Sequence, residues 1–282
     1  MEDGQLNNLK VGFIIQARMK SERLEGKVLL PLPFGCGKPV IQWITDSLKD
    51  SKHNASIFVA TSKNEENTPL ELFCSNNNVT CFRGDENDVL SRFLEIVKNS
   101  DLDIVVRLTA DNPIVDIDLL DKVIEFHFQN KNDYTRTVGL PIGMNFEVFN
   151  SKTLLSLEKE KLTSADKEHV TMFIKNSNSY KLGEFAILDD SLKDLRLTID
   201  YLSDYLVISA VLNQNNCNKK GLDLIKYIYS ENPWIFEGNI LNYQKRQFVD
   251  ISEELDYAIK FLVKNDLSNA SKVLENIKKQ KN

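Results

Sequence analysis

Apolar positions fall along this chain in short runs that alternate with stretches of helical spacing. Val11–Gln16 (VGFIIQ) is a compact β-rich run, as a buried strand requires. After a polar loop over residues 17–37, KPVIQWITDSLKDS places Val40, Ile41, Ile44 and Leu48 on one helical face. Ala55–Ser62 (ASIFVATS) predicts the next strand, PLELFCSNN a helix and VTCFRG a strand. DVLSRFLEIVKNS predicts an amphipathic helix, with Asp85 or Asn87 as its N-cap. Leu102–Asp111 (LDIVVRLTAD) predicts a strand ending in polar residues, and DIDLLDKVIEFHFQN a further helix. Strands alternating with helices of this length predict βαβ units and an α/β fold. In such folds ligands sit in the loops at the C-terminal ends of the strands. Polar clusters occur at three of those places, after Gln16, after Ala60 and at Thr109–Asn112.

Past Tyr134 the period changes. TRTVGLPIGMNFEVF reads as a hairpin, EHVTMFIKN as a short helix and Leu195–Asp200 (LRLTID) as a strand. From Asn213 the text turns polar and then helical, over Glu253–Val263 and Leu267–Ile277. This reading gives a catalytic-type domain over residues 1–212 and a helical extension over 213–282 packed on the same domain.

Composition narrows the chemistry. The 282 residues carry 35 Lys and Arg against 41 Asp and Glu, a net charge of -6. Bulk charge of that sign argues against nucleic acid as the partner. No apolar run approaches the ~20 residues of a membrane span, so membrane insertion is not expected. Residues 1–10 are polar and acidic where a secretory leader is basic. Cys36, Cys74, Cys81 and Cys217 have no CxxC spacing, which fits a reduced, cytoplasmic setting.

Against that acidic background, IIQARMKSERLEGKVL gathers Arg18, Arg23 and Lys27 with Ser21 and Gly26 in one loop after a strand. Glycine admits close backbone approach and the cations suit a small polyanion; a solvated basic loop is the alternative. As loop cations, Arg18 and Lys27 are expected to contribute little to stability. GCGKP lacks the Ser or Thr of a phosphate-binding P-loop, and no GxGxxG follows a strand. Asp111 and Asp200 each end an apolar run, where a carboxylate holds Mg²⁺ or merely caps a turn. His169 in KEHV is a base, a substrate contact or a plain surface histidine. Asp116–Asp118 (DID) could pass for a DxD metal motif but lies where a helix opens.

Seven blocks, IIQARMKSERLEGKVL, GKPVIQW, VATS, FRGDENDVLSRF, VVRLTADNPIVD, EHVT and LRLTID, resemble in order and spacing the SpsF-like cytidylyltransferases of spore-coat and surface polysaccharides. That family is related to the synthetases of CMP-Kdo and CMP-sialic acid. The resemblance covers about residues 11–210. It implies a GT-A-like nucleotidyltransferase fold, a mixed, mostly parallel sheet between helices. It implies CTP and a small-molecule acceptor as partners, Mg²⁺ as cofactor, release of pyrophosphate, and leaves room for a homodimer. By position, Arg18 and Lys27 match the phosphate-holding catalytic cations, with Ala17, Ser21, Arg23, Arg83 and Thr109 around the nucleotide. Asp111 and Asp200 match the metal ligands. Glu147, Glu168, His169 and Arg196 fall on the acceptor side. IGMNFEVF departs from the family's RGLDVEVF at Ile142 and Asn145, which leaves the acceptor open among sugar acids, sugar or polyol phosphates and phosphonates. A glycosyltransferase on the same fold and a non-catalytic nucleotide-binding subunit are the alternative readings.

Overall fold

The computed structural model describes residues 9–187, 190–214, 219–242 and 250–281. Cys217 and residues 1–8 lie outside them. The main sheet contains β1 (Val11–Gln16), β4 (Ser56–Ser62), β5 (Thr80–Gly84), β6 (Ile104–Thr109), β7 (Tyr134–Val138), β8 (Glu147–Asn150) and β9 (Leu182–Ala186). Its order is β5-β4-β1-β6-β8-β7-β9. The β5-β4-β1-β6 half is parallel, β8 runs antiparallel to β6 and β7, and β9 lies parallel to β7. A small hairpin of β2 (Pro31–Leu32) and β3 (Lys38–Pro39) follows the basic loop.

Helices cover both faces because the central strands are apolar on both. Phe13 and Ile15 of β1 enter one core with Ile41 and Ile44 of α1 (Val40–Lys49) and Leu120 and Val123 of α4 (Ile117–Gln129). Ile14 points the other way, into a second core with Leu90 and Phe93 of α3 (Val89–Asn99). The helix α2 (Thr68–Asn76) flanks β5. Alternate residues of a strand face opposite sides, so one run feeds two layers.

Several local expectations change. The N-cap of α3 is Asp88, whose carboxylate accepts from Ser91 N at 2.9 Å; Asp85 instead closes its own turn, accepting from Asn87 and Asp88 N–H. Asp116 caps α4 through Leu119 N, so DID is a helix start. EHVTMFIKN is not one helix. The helix α6 (Ser164–His169) stops at Val170, and α7 (Met172–Asn176) begins after it; α5 (Ser151–Ser156) precedes both. Val170 adopts φ 58°, ψ -57°, and Thr171 N–H donates back to the His169 carbonyl at 2.5 Å, a γ-turn of the φ-positive kind. Leu195–Asp200 is not a ladder strand either: it is extended chain tied to the hairpin by one bridge, Ile142 with Arg196. β9 was not anticipated, since LGEFA is short and exposed at alternate positions.

The compact division of the chain falls after Asn242, not after residue 212. The reason is packing: α8 (Leu202–Asn213), α9 (Gly221–Glu231) and the 3-10 helix Pro233–Asn239 send Ile208, Ile225, Ile228 and Phe236 into the main core. The second unit, residues 243–282, contains α10 (Ile251–Lys264) and α11 (Ser268–Lys281), which pack on each other and share a Lys278–Asp256 ion pair. No helix among the described residues is long and apolar enough to cross a membrane.

Candidate active site

The basic loop leaves the C-terminal end of β1. Gly26 takes φ 66° there, the left-handed conformation that suits glycine, and starts the short 3-10 turn Lys27–Leu29. That turn carries Lys27 inward. Its side chain is only 11% exposed, and the ammonium donates to Asp111 Oδ2 at 2.9 Å, Asp200 Oδ1 at 3.0 Å and the Ile199 carbonyl at 2.8 Å. Asp111 follows β6, the strand beside β1, while Asp200 ends the extended segment. Two acids far apart in sequence therefore meet at one cation.

Asp200 has further cations. Arg23 reaches Oδ1 at 2.8 Å and Arg196 reaches Oδ2 at 2.8 Å. Burial alone would raise the Asp200 carboxyl pKa, but the charges of Lys27, Arg23 and Arg196 win and hold it below the usual range. The Arg23 guanidinium also lies 4.9 Å from the centre of the Tyr201 ring.

The other loop residues divide by role. Ala17 N–H donates to the Ala60 carbonyl and ties the loop to β4; Ser21 Oγ accepts from Leu24 N at 3.5 Å. Arg18 is 61% exposed and meets Glu86 at 3.5 Å, so it is less tightly held than Arg23 and Lys27. Arg83 is committed to protein: it donates to the carbonyls of Ser62, Lys63 and Asn64 and pairs with Glu71. The structure makes it the clasp of the loop after β4. Thr109 Oγ1 accepts from Asn112 at 2.8 Å.

Beside this cluster lies a cavity of about 320 Å³, in the range of small-molecule sites. Arg107, Thr109, Asn112, Arg136, Glu147 and Lys175 are among its walls. Strand register builds it: Arg107 of β6 stands directly opposite Glu147 of β8, which stands opposite Arg136 of β7. Glu147 accepts from Arg107 Nη1 at 2.6 Å, Tyr134 Oη at 2.7 Å, Lys175 Nζ at 3.1 Å and Thr171 Oγ1 at 3.1 Å. Burial pushes the Glu147 carboxyl up, yet Arg107, Lys175 and these hydrogen bonds outweigh it and bring the pKa down to about 2. Glu147 is thus a fixed anion that arrays cations along the wall, not a proton acceptor. Burial and the Glu147 charge push the Tyr134 phenol up, so it stays a donor.

Three acceptor-side expectations move. Arg196 is buried and holds Asp200 and Asp204, so it braces the Lys27 cluster from behind and does not line the cavity. Glu168 and His169 close α6 and are not among the cavity's walls either. The substitutions at Ile142 and Asn145 do bear on the pocket: Asn145 lines it, while Ile142 carries the bridge to Arg196. Sequence reasoning missed Arg107, Tyr134, Thr171 and Lys175. Only Arg107 left a trace, a lone charge inside the apolar run IVVRLT.

The chain and its fold have counterparts among known proteins. The Cytidylyltransferase family profile matches residues 12–245. The chain belongs to that family, and is with it an enzyme of nucleotidyl transfer. The spore coat polysaccharide biosynthesis protein SpsF of Bacillus subtilis is 36% identical over 203 residues, 71% of this chain and 85% of that protein. A 3-deoxy-manno-octulosonate cytidylyltransferase of Francisella philomiragia is 28% identical over 145 residues, 50% of this chain and 56% of that enzyme. Among solved structures, a cytidylyltransferase from Leptospira borgpetersenii superposes with TM-score 0.75 at 29% identity, covering 85% of this chain and all of its own. A CMP-2-keto-3-deoxy-manno-octonic acid synthetase complexed with CTP shares the fold, with TM-score 0.55 at 15% identity over 73% of this chain and 99% of that one.

Proposed function

We propose that this cytidylyltransferase joins CTP to a small anionic acceptor, a sugar acid or a phosphorylated or phosphonate analogue, and releases pyrophosphate, with Mg²⁺ as cofactor, in the making of a surface glycan. The observation that carries the reading is the convergence of Lys27, Asp111 and Asp200 at the ends of β1 and β6. The names of the relatives support it, since they act in spore-coat polysaccharide synthesis and on octulosonate acids.

The donor set fits a hard cation. One cationic nitrogen already sits within 3.0 Å of three oxygens, from Asp111, Asp200 and Ile199, and Mg²⁺ favours oxygen ligands shared with phosphates. Asp111 and Asp200 would hold it, Lys27 turning from the carboxylates to the phosphates. An ion held by those two carboxylates would supply positive charge beside the phosphoryl group. A related fold from Mycobacterium tuberculosis is described in complex with manganese, which is in keeping with a divalent ion.

The chain's own groups do the rest. Arg18, Arg23 and Lys27 bind the triphosphate, and Ala17, Ser21 and Thr109 surround the nucleoside. The cavity wall of Arg107, Arg136 and Lys175 draws in the acceptor's acid group and sets its nucleophilic oxygen in line with the α-phosphorus. Negative charge on the phosphoryl oxygens and departing pyrophosphate is then opposed by cations already in place.

Thermal shift with each of the four nucleoside triphosphates and Mg²⁺ tests the nucleotide. CTP should raise the melting midpoint most, because ligand held only by the folded state stabilises it. A larger shift with ATP or GTP overturns the assignment. Pyrophosphate release with a panel of acid, phosphate and neutral sugars then tests the acceptor class.

A further inference from the structure

Asp204 is fully buried in the first turn of α8, and it does more than cap that helix. A cap needs only the Tyr201 N–H, which Asp204 Oδ2 accepts at 2.9 Å. The same oxygen also accepts from Asp200 N at 2.9 Å and Arg196 Nη2 at 3.2 Å, and Oδ1 accepts from Arg196 Nε at 2.9 Å. Arg196 in turn bonds Asp200 Oδ2. Backbone and side chain of Asp200 are thus both held, one directly by Asp204 and the other through Arg196.

The remaining acceptor capacity of Asp204 is filled from far downstream. Asn239 Nδ2 donates to Oδ1 at 2.9 Å and to the Arg196 carbonyl at 3.0 Å, and Asn242 Nδ2 donates to Oδ1 at 2.7 Å. Asp204 and Arg196 balance each other's charge, which leaves the Asp200 Oδ1 free to serve Lys27 and Arg23. A buried carboxylate satisfied this fully rigidifies what it touches.

We propose that Asp204 is a positioning residue for the nucleotide's phosphate site, acting through Asp200, and that Asn239 and Asn242 make the chain's 239–242 stretch part of that site's frame. The proposal rests on the functional reading above only in taking Lys27 and Arg23 to face phosphate.

Acylation of the Lys27 amine in the ligand-free protein, followed by mass spectrometry against the exposed Lys131, tests the frame without any turnover. The variants are Asn239→Ala and Asp204→Asn, with Ile228→Val, a core change in α9, as a control for lost stability alone. Loosening Asp200 frees Lys27, so Asn239→Ala and Asp204→Asn should speed its modification at least about fivefold while folded, and Ile228→Val should not. Rates within about twofold of wild type in both folded variants overturn the proposal, as does equal acceleration by Ile228→Val. If Asp204→Asn does not fold, Asn239→Ala decides alone. In parallel, kcat/KM for CTP should fall in the two network variants and hold in the control. A wild-type chain that binds no CTP counts against the functional reading, and the labelling rates still decide the frame.

Discussion

Lys27 and Arg18 come from one loop, yet they are different kinds of residue. Arg18 is exposed with one long contact, as expected of a loop cation. Lys27 is buried, and its removal leaves two carboxylates short of a partner. Both substitutions to Ala should cut turnover by about 2–4 kcal/mol of transition-state stabilisation, read as kcat/KM. Only Lys27→Ala should also destabilise, on the order of 1–3 kcal/mol in urea unfolding, while Arg18→Ala stays within about 0.5 kcal/mol. Equal stability of the two variants would contradict the buried placement. Titration gives a second contrast. Burial between α4 and β8 brings the His127 pKa down from 6.5 to about 4, with Thr135 and Asn150 as hydrogen-bond partners of the neutral ring. The unfolded chain therefore binds a proton more readily, and folded stability should fall as pH drops from 6.5 towards 4. Glu147 works in a lower window: its folded pKa of about 2 lies under the ordinary 4.5, so its contribution is full above 4.5 and fades as pH falls from there to about 2. Urea midpoints at pH 7 and pH 5 for wild type and His127→Gln separate the two. The variant should lose less over that interval, and an equal loss would assign the effect elsewhere.

At the scale of elements, the site depends on close approach between pieces that are not one ladder. Gly143 takes φ 99°, and a Cβ there would lie 2.6 Å from Thr198 N and 2.7 Å from the Leu197 carbonyl carbon. The hairpin arm can lie against the Leu195–Asp200 segment only because that Cβ is missing. Gly143→Ala should cost about 1–3 kcal/mol in backbone strain and lower turnover by shifting Asp200. A folded Gly143→Ala protein with wild-type kcat would mean that Asp200 does not depend on this crossing. The Val170 γ-turn plays a like part on the other side. Its Val side chain fills the second core, and the turn brings Thr171 to Glu147. Strain of this kind persists where surrounding packing imposes it.

For the whole molecule, the compact first unit ends at Asn242 and the family match at residue 245, so the enzyme and the fold share one boundary. A chain ended after Asn242 retains every residue of both hydrophobic cores and of the proposed phosphate and acceptor sites. It should bind CTP with an affinity within about threefold of the full chain, measured by calorimetry. Loss of binding on that truncation would give residues 243–282 a role in the site. The net charge of -6 adds a constraint at this scale. An acidic molecule repels a polyanion at long range, so the local cations must do the attracting, and CTP binding should weaken as salt rises.

The sequence by itself determined the alternating strands and helices of the first half of the chain, the α/β class and the candidacy of Lys27, Asp111 and Asp200. Each of those signals is local: an apolar run of strand length, a helical period, a glycine and cations just past a strand, an acid where a run stops. Lys27, Asp111 and Asp200 were legible for that reason. Only the tertiary structure decided what they do to one another. The burial of Lys27 depends on partners 84 and 173 residues away. The commitment of Arg83 depends on the loop after β4, and the turning of Arg196 from the cavity on how Asp200 and Asp204, though near in sequence, fold back on it. The rest of the acceptor wall was hidden for the same reason. Glu147 was legible as an acceptor-side candidate, but Arg107 and Lys175 lie on other elements, and strand register alone sets Arg107 opposite it. Asp204 reads in the sequence as one more acid in the first turn of a helix. Asn239 and Asn242 make it a keystone only once the chain has folded back upon it, because a hydrogen bond is specified by distance in space and a sequence records only distance along the chain.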